Sequence, residues 1–251
     1  MLDKNNKTAV IIGGTKGIGL EITKLFLNKN FNVVVSARKI NNFNLKNKNL
    51  LKIVGDFSKE NSHEKLITKT LKKYGRIDVY INNVGLSDWK PIDKVDRKFL
   101  NKMLLNNFFS TVWGCKQASK KLKPGSSIIN ISSIAGKRGS KNNSIYSSCK
   151  FAITGLTQSL SKELGHKGIR VNSICPVLIK TPGLIKALKS KYSPANNRIE
   201  NFLKEFTISN SALGRLPSGN DVAELCYFLS SSNSNSITGQ NINLDCGVFP
   251  Q

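Results

Sequence analysis

Seven short apolar runs punctuate the chain, and most of the segments between them carry apolar residues at helical spacing. The runs are Thr8 to Ile12, Asn32 to Ser36, Leu50 to Val54, Ile77 to Ile81, Ser126 to Ile131, Gly168 to Ile174 and Gln240 to Leu244. Continuous rather than alternating hydrophobicity marks strands covered on both faces, as in parallel sheets. Between them, Ile18, Ile22, Leu25 and Phe26 recur at the period of a helix's buried face, as do Leu66, Ile67 and Leu71 within Asn61 to Tyr74. Further helices are predicted over Asp96 to Leu122, from Tyr146 to about Gly165, and over Asn220 to Ser230, capped by Ser218 or Asn220. Ile40 to Asn49 is polar and too short for a crossover helix, so it reads as a loop. Thr181 to Leu213 interrupts the alternation with two amphipathic pieces, around Leu184–Leu188 and Ile199–Phe206. With no repeat and no linker, residues 1–251 form one α/β domain: a doubly wound parallel sheet of about seven strands with helices on both faces. Ligands of such sheets sit at the carboxyl ends of the strands. The insertion at about 181–213 follows a strand end, where it is placed to form a helical substrate lid.

Composition narrows the class. At 39% hydrophobic and 22% charged residues the chain is that of a soluble globular protein. No apolar run approaches the ~20 residues that span a bilayer, and the polar stretch Met1 to Thr8 leads into the first strand with no signal peptide expected. The five cysteines form no CxxC pair and read as reduced thiols in the cytoplasm, while His63 and His166 lie outside any metal spacing. A metal mechanism is not expected. The net charge of +24 is spread along the whole chain among many asparagines, without a basic stripe, a helix-turn-helix or an aromatic platform. Neither nucleic acid nor membrane is therefore the expected partner.

The first strand runs into Gly13-Gly14-Thr15-Lys16-Gly17-Ile18-Gly19 and then a helix. Strand, glycine turn, helix is the context in which the backbone approaches a dinucleotide pyrophosphate and a helix N-terminus supplies its donors. The spacing is Gly-x-x-x-Gly-x-Gly rather than Gly-x-Gly-x-x-Gly. Where a carboxylate would take a free ribose 2′-hydroxyl, the second strand ends in Ser36-Ala37-Arg38-Lys39, with Lys16 in the turn. Those cations suit a 2′-phosphate, so NADP(H) is read over NAD(H). Downstream, Tyr146 and Lys150 stand one helical turn apart, with Ser133 delivered at the end of the fifth strand. A lysine cation beside a phenol favours the phenolate, which predicts a Tyr146 pKa lowered toward a useful value.

These residues together resemble the short-chain dehydrogenase/reductase family over essentially the whole chain. The resemblance rests on Gly13-x-x-x-Gly17-Ile18-Gly19, Asn82-Asn83-Val84-Gly85, Asn107, Ser133, Tyr146-x-x-x-Lys150, Pro176 to Thr181, and Thr238-Gly239-Gln240 to Asp245-Cys246-Gly247. It implies a Rossmann-type fold and hydride transfer between a nicotinamide and a carbonyl carbon. It also implies that Tyr146 acts as general acid or base, that Ser133 holds the substrate oxygen, and that Lys150 binds the nicotinamide ribose. An asparagine of the long helix would hold a relay water, and counting from Lys116 favours Asn107 over Asn106. The implied cofactor contacts are Gly13, Thr15, Lys16, Gly17, Ile18, Gly19, Ser36, Arg38, Asp56 and Phe57 at the adenine edge, Asn83, Gly85, Tyr146, Lys150, and Ile179 and Thr181 at the carboxamide. A homotetramer packing through its two long helices and last strand is implied as well. The chain departs from the family at Ile12 for threonine, Val84 for alanine, and Val177 and Cys246 where glycine is common.

Within the family the chain is most similar to 3-oxoacyl-[acyl-carrier-protein] reductases, as in Gly214-Arg215-Leu216. Reduction of a 3-oxoacyl thioester is accordingly the leading expectation, with an acyl carrier protein docking near Lys120, Lys121, Lys123 and Lys167. Ordinary solvated lysines account for the same residues. The alternatives are an NADP(H)-dependent reductase of a free ketone, alcohol or sugar, and a catalytically retired nucleotide-binding scaffold. Leu86, Trp89, Ile134, Leu178, Leu184, Leu188 and Phe206 are the pocket candidates.

Overall fold

The computed structural model describes residues 6–40 and 43–251. Met1–Asn5, on which the leader expectation rests, and Asn41–Asn42 of the predicted loop lie outside the described residues. Seven parallel strands form one sheet in the order β3-β2-β1-β4-β5-β6-β7. They are β1 (Thr8–Ile12), β2 (Asn32–Ala37), β3 (Leu50–Val54), β4 (Val79–Asn82), β5 (Ser127–Ile131), β6 (Arg170–Pro176) and β7 (Asn241–Leu244). The strand order reverses beside β1, where Ile11 registers with Val35 of β2 on one side and Ile81 of β4 on the other. The crevice opened by that reversal is where open α/β sheets take their ligands.

Every residue of β1 is buried, and the pleat divides them between two cores. Ala9 and Ile11 face α1 (Gly17–Asn28) and α8 (Gly219–Ser230), against Ile22, Phe26, Val222 and Leu229. Val10 and Ile12 face the other layer, packing with Leu66 and Ile67 of α2 (Glu60–Tyr74), Ala118 of α4 (Ser110–Ser119) and Leu164 of α5 (Ser144–Gly165). Ile12, where the family has threonine, is simply a core residue of this second layer.

Element ends moved for local polar reasons. The fourth strand begins at Val79 rather than Ile77, because the Asp78 carboxylate turns aside to accept the Thr8 N–H at 2.8 Å and to pair with Arg76. The helix predicted over Asp96 to Leu122 is α3 (Arg97–Leu104), a π-helical turn (Leu105–Phe109) and α4. Asp96 caps it by accepting the Phe99 N–H at 2.7 Å. Ser218, not Asn220, caps α8: its hydroxyl accepts the Asp221 N–H while the Asp221 carboxylate accepts the Ser218 N–H. The far end of α8 is held by Arg170, whose guanidinium donates to the carbonyls of Leu229 and Ser231. In the insertion, α6 (Pro182–Leu188) and α7 (Ile199–Asn210) close on a small core of their own. The stretch before β3, so far as it is described, contains no helix, as predicted.

Candidate active site

The glycine turn is shaped by close approach. A Cβ at Gly19 would lie 2.1 Å from the Gly13 carbonyl oxygen, and one at Gly14 would lie 2.7 Å from Val35, so neither position tolerates a side chain. Gly13 and Gly17 take φ values of 80° and 53°, where side chains are disfavoured. Lys16 precedes α1 without a side-chain cap, and the first turn of α1 has no acid. The leading N–H groups of α1 are thus left for an anion, which a pyrophosphate would supply. The turn is braced from two sides: Asn83 Nδ2 donates to the Gly13 carbonyl at 3.1 Å, and Ser36 Oγ accepts from the Gly13 N–H at 3.4 Å. Asn83 and Ser36, expected as cofactor contacts, spend these side-chain bonds on the cradle itself.

At the end of β2, Arg38 and Lys39 are exposed, and neither forms an ion pair with a carboxylate among the described residues. Asp56 lies beyond β3. Partial burial raises its carboxyl pKa, but hydrogen bonds from Ser58, with Lys59 and Arg38 near, outweigh that and hold it low. The Phe57 side chain is buried under the sheet, edge-on to His63 at 5.0 Å. The ring therefore belongs to the core, and the Phe57 carbonyl is taken by His63 Nε2 at 2.9 Å, so the expected adenine contact is not made by this side chain. Ile179 is also buried, and the Thr181 hydroxyl accepts the Leu184 N–H at 3.2 Å, capping α6. The Thr181 methyl closes on Gly17, 3.4 Å from where a Cβ would be. Thr181, the first residue of the insertion, thus rests on the glycine turn.

The second group gathers beside Gly85. A Cβ there would lie 3.1 Å from Asn107 Oδ1 and 3.5 Å from Lys150 Nζ, so the bare α-carbon is what lets both groups reach the crevice. Asn107 is fully buried in the π-helical turn. Its Oδ1 accepts the Leu86 N–H and its Nδ2 donates to the Met103 carbonyl, each at 3.0 Å. Asn106 is partly exposed and bonds back along its own helix, whereas Asn107 faces Gly85. Lys150 is buried, with Nζ donating to the Ile131 carbonyl at 2.9 Å and standing 5.7 Å from the centre of the Tyr146 ring. Ser132 donates to the Lys150 carbonyl at 3.1 Å, locking α5 to the end of β5. Ser133 follows, its oxygen accepting the Ala135 N–H at 3.1 Å.

The electrostatics differ from the sequence expectation. Burial pushes the Tyr146 phenol up to about 12, and the hydrogen bond from Ser133 offsets only part of this. Burial also pushes the Lys150 ammonium down to about 8. Desolvation of the phenolate dominates, and Lys150 Nζ gives its hydrogen bond to a backbone carbonyl rather than to the phenol. A phenol held protonated through the neutral range is a proton donor waiting for an acceptor.

Two pocket candidates moved. Trp89 and Leu188 are buried in the lid's own core with Ala187, Ala195 and Leu203. Ile134, beside Ser133, instead packs on Val177 and Val248, with Leu178, Phe206 and Leu216 around them. Val248 and Leu216 carried no sequence signal for this position, because they reach it from distant parts of the chain.

A family model described as Enoyl-(Acyl carrier protein) reductase matches residues 13–249. The chain is 32% identical to the diacetyl reductase [(S)-acetoin forming] of Staphylococcus epidermidis, over 97% of its own length and 98% of the relative's. It is 34% identical to the L-2,3-butanediol dehydrogenase of Corynebacterium glutamicum, over 97% and 99%. Among solved structures, a short-chain dehydrogenase/reductase of the glucose/ribitol dehydrogenase type from Brucella melitensis superimposes with a TM-score of 0.88 at 27% identity, covering 98% of each chain. ElxO with NADP bound gives 0.85 at 30% identity, covering 98% of this chain and 100% of that one. Fold and glycine cradle define a dinucleotide-binding oxidoreductase acting on CH–OH and C=O groups. The chain belongs to the short-chain dehydrogenase/reductase family. These relatives are named for diacetyl and butanediol, which fits the free-ketone alternative better than the expected acyl thioester.

Proposed function

We propose that the protein is an NADP(H)-dependent reductase of small free ketones, running in reverse as an alcohol dehydrogenase. The observation that carries this is the meeting of Asn107, Lys150 and the Ser133–Tyr146 pair at the carboxyl ends of β4 and β5. When bound, the nicotinamide supplies the hydride. Ser133 and Tyr146 hold the carbonyl oxygen, and Tyr146 gives it a proton as negative charge develops there. Lys150 positions the ribose and its charge stabilises the phenolate left behind, while Asn107 keeps the loop after β4 in register with α5. The uncharged size of diacetyl and butanediol, named in the relatives, supports a compact substrate. Arg38 and Lys39 support the phosphorylated cofactor, and a relative of known structure binds NADP. Helices α6 and α7 form the lid, hinged where Thr181 meets Gly17. A homotetramer remains the expected assembly, and carrier docking is not required by this reading.

The test is NADPH consumption with diacetyl, acetoin and acetoacetyl-coenzyme A, each repeated with NADH. Reduction of the small ketones with NADPH, falling at least ~100-fold in Tyr146→Phe while NADPH still binds, is the expected result. Turnover of the thioester in preference to the ketones would restore the acyl reading, and binding of neither nucleotide would remove the enzyme.

A further inference from the structure

The C-terminal segment holds one side chain, Val248, against Ile134, the neighbour of Ser133. After β7, the Asp245 carboxylate accepts the N–H groups of Gly247 at 3.0 Å and Phe249 at 2.8 Å, curling the chain into a tight turn. Asn243 Nδ2 donates to the Phe249 carbonyl at 2.6 Å, and the Arg138 guanidinium lies 5.0 Å from the Phe249 ring centre. From the insertion, Leu213 N–H donates to the Cys246 carbonyl at 3.2 Å, beside Ser211, whose hydroxyl donates to the Arg215 carbonyl at 2.6 Å. A Cβ on Gly247 would lie 2.6 Å from the Ala212 methyl, so the turn sits flush against the end of the lid. Between these clamps Val248 is 8% exposed and packs on Ile134 and Val177. Ile134 is the neighbour of Ser133, and Val177 follows Pro176 at the end of β6.

Resting on the proposed ketone reduction, we infer that Ile134, Val177 and Val248 form an apolar wall that limits substrate length, and that Val248 and Val177 are specificity-determining residues. The wall has no hydrogen-bonding side chain, so the substituent it meets is a methyl group or similar, not a hydroxylated sugar chain. Its residues are branched, buried and supported from behind by a hydrogen-bonded turn, so it cannot yield cheaply to a longer chain. A ketone carrying one or two further methylene groups must displace these side chains, and pockets of this kind discriminate by about 10- to 200-fold per methylene. Glycine at Val177, common in the family, would leave the space open.

The experiment compares kcat/KM for butane-2,3-dione, pentane-2,3-dione and hexane-2,3-dione in the full-length protein and in Val248→Ala and Val177→Gly. Wild type should prefer the four-carbon dione over the six-carbon one by at least about tenfold, and each variant should shrink that ratio by about tenfold, chiefly through KM for the longer dione. A merely structural role would lower all three values together and leave the ratio standing. An unchanged ratio in both variants, with wild type active on the diones, would overturn the wall and leave the ketone reductase intact. Turnover of acetoacetyl-coenzyme A with none of the diones would overturn both.

Discussion

Cys246 holds a φ of 56°, in the left-handed region that costs a side chain roughly 1 kcal/mol relative to glycine. The family's usual glycine at this position is thereby explained, and Cys246→Gly should raise unfolding stability by about 1 kcal/mol, read from urea denaturation. Arg38 yields a second residue-scale test. If its exposed guanidinium takes the 2′-phosphate, as proposed, Arg38→Ala should weaken NADPH binding by about 10- to 100-fold and leave NADH binding nearly unchanged, by fluorescence titration. Ser133, Tyr146, Lys150 and Asn107 were legible as candidates because the proposed chemistry ties each to a fixed position along a strand or helix. The sign of the Tyr146 shift was not, because it depends on how much water the folded surroundings exclude, which no spacing encodes.

At the scale of elements, hydrophobic period located all seven strands and the main helices. It missed the π-helical turn at Leu105–Phe109, since one extra residue in a turn hardly disturbs a 3.6-residue pattern. It also could not say that Trp89 packs into the core of the insertion, because an aromatic residue in a loop has no period at all. The insertion is tied to the body through Asn142, just ahead of α5. Its carbonyl accepts the Lys90 N–H at 2.7 Å, and its Nδ2 donates to the Tyr192 carbonyl, between α6 and α7, at 3.3 Å. Its φ of 58° suits glycine equally well. Asn142→Gly should therefore keep the backbone and lose one hydrogen bond, raising the ketone KM about fivefold with little change in kcat. Hydrogen exchange over residues 189–198 should quicken in the same variant, and unchanged exchange and KM would show that the tie is idle.

Across the whole molecule, a buried histidine links stability to acidity. His63 accepts a hydrogen bond from the Tyr80 hydroxyl at Nδ1 (2.8 Å) and donates from Nε2 to the Phe57 carbonyl (2.9 Å), the one arrangement a carbonyl acceptor permits. Burial pushes its pKa down to about 4 from 6.5, against the smaller pull of the Phe57 carbonyl. The unfolded chain then takes up the proton first. His63 leaves stability intact above pH 6.5 and withdraws it as pH falls toward 4, by about 3 kcal/mol in all. Urea unfolding at stepped pH should show that decline, and His63→Leu should flatten it. Nothing in the sequence announced this, because a lone histidine in a helix reads the same whether buried or wet. The cysteines carry a different consequence. All five are unpaired, four are buried, and Cys246 alone is partly exposed. A thiol reagent applied to the native protein accordingly has one position to find, and that position lies in the turn that carries Val248. The rate of its labelling therefore reports how accessible the C-terminal turn is, and nucleotide with ketone bound should slow it.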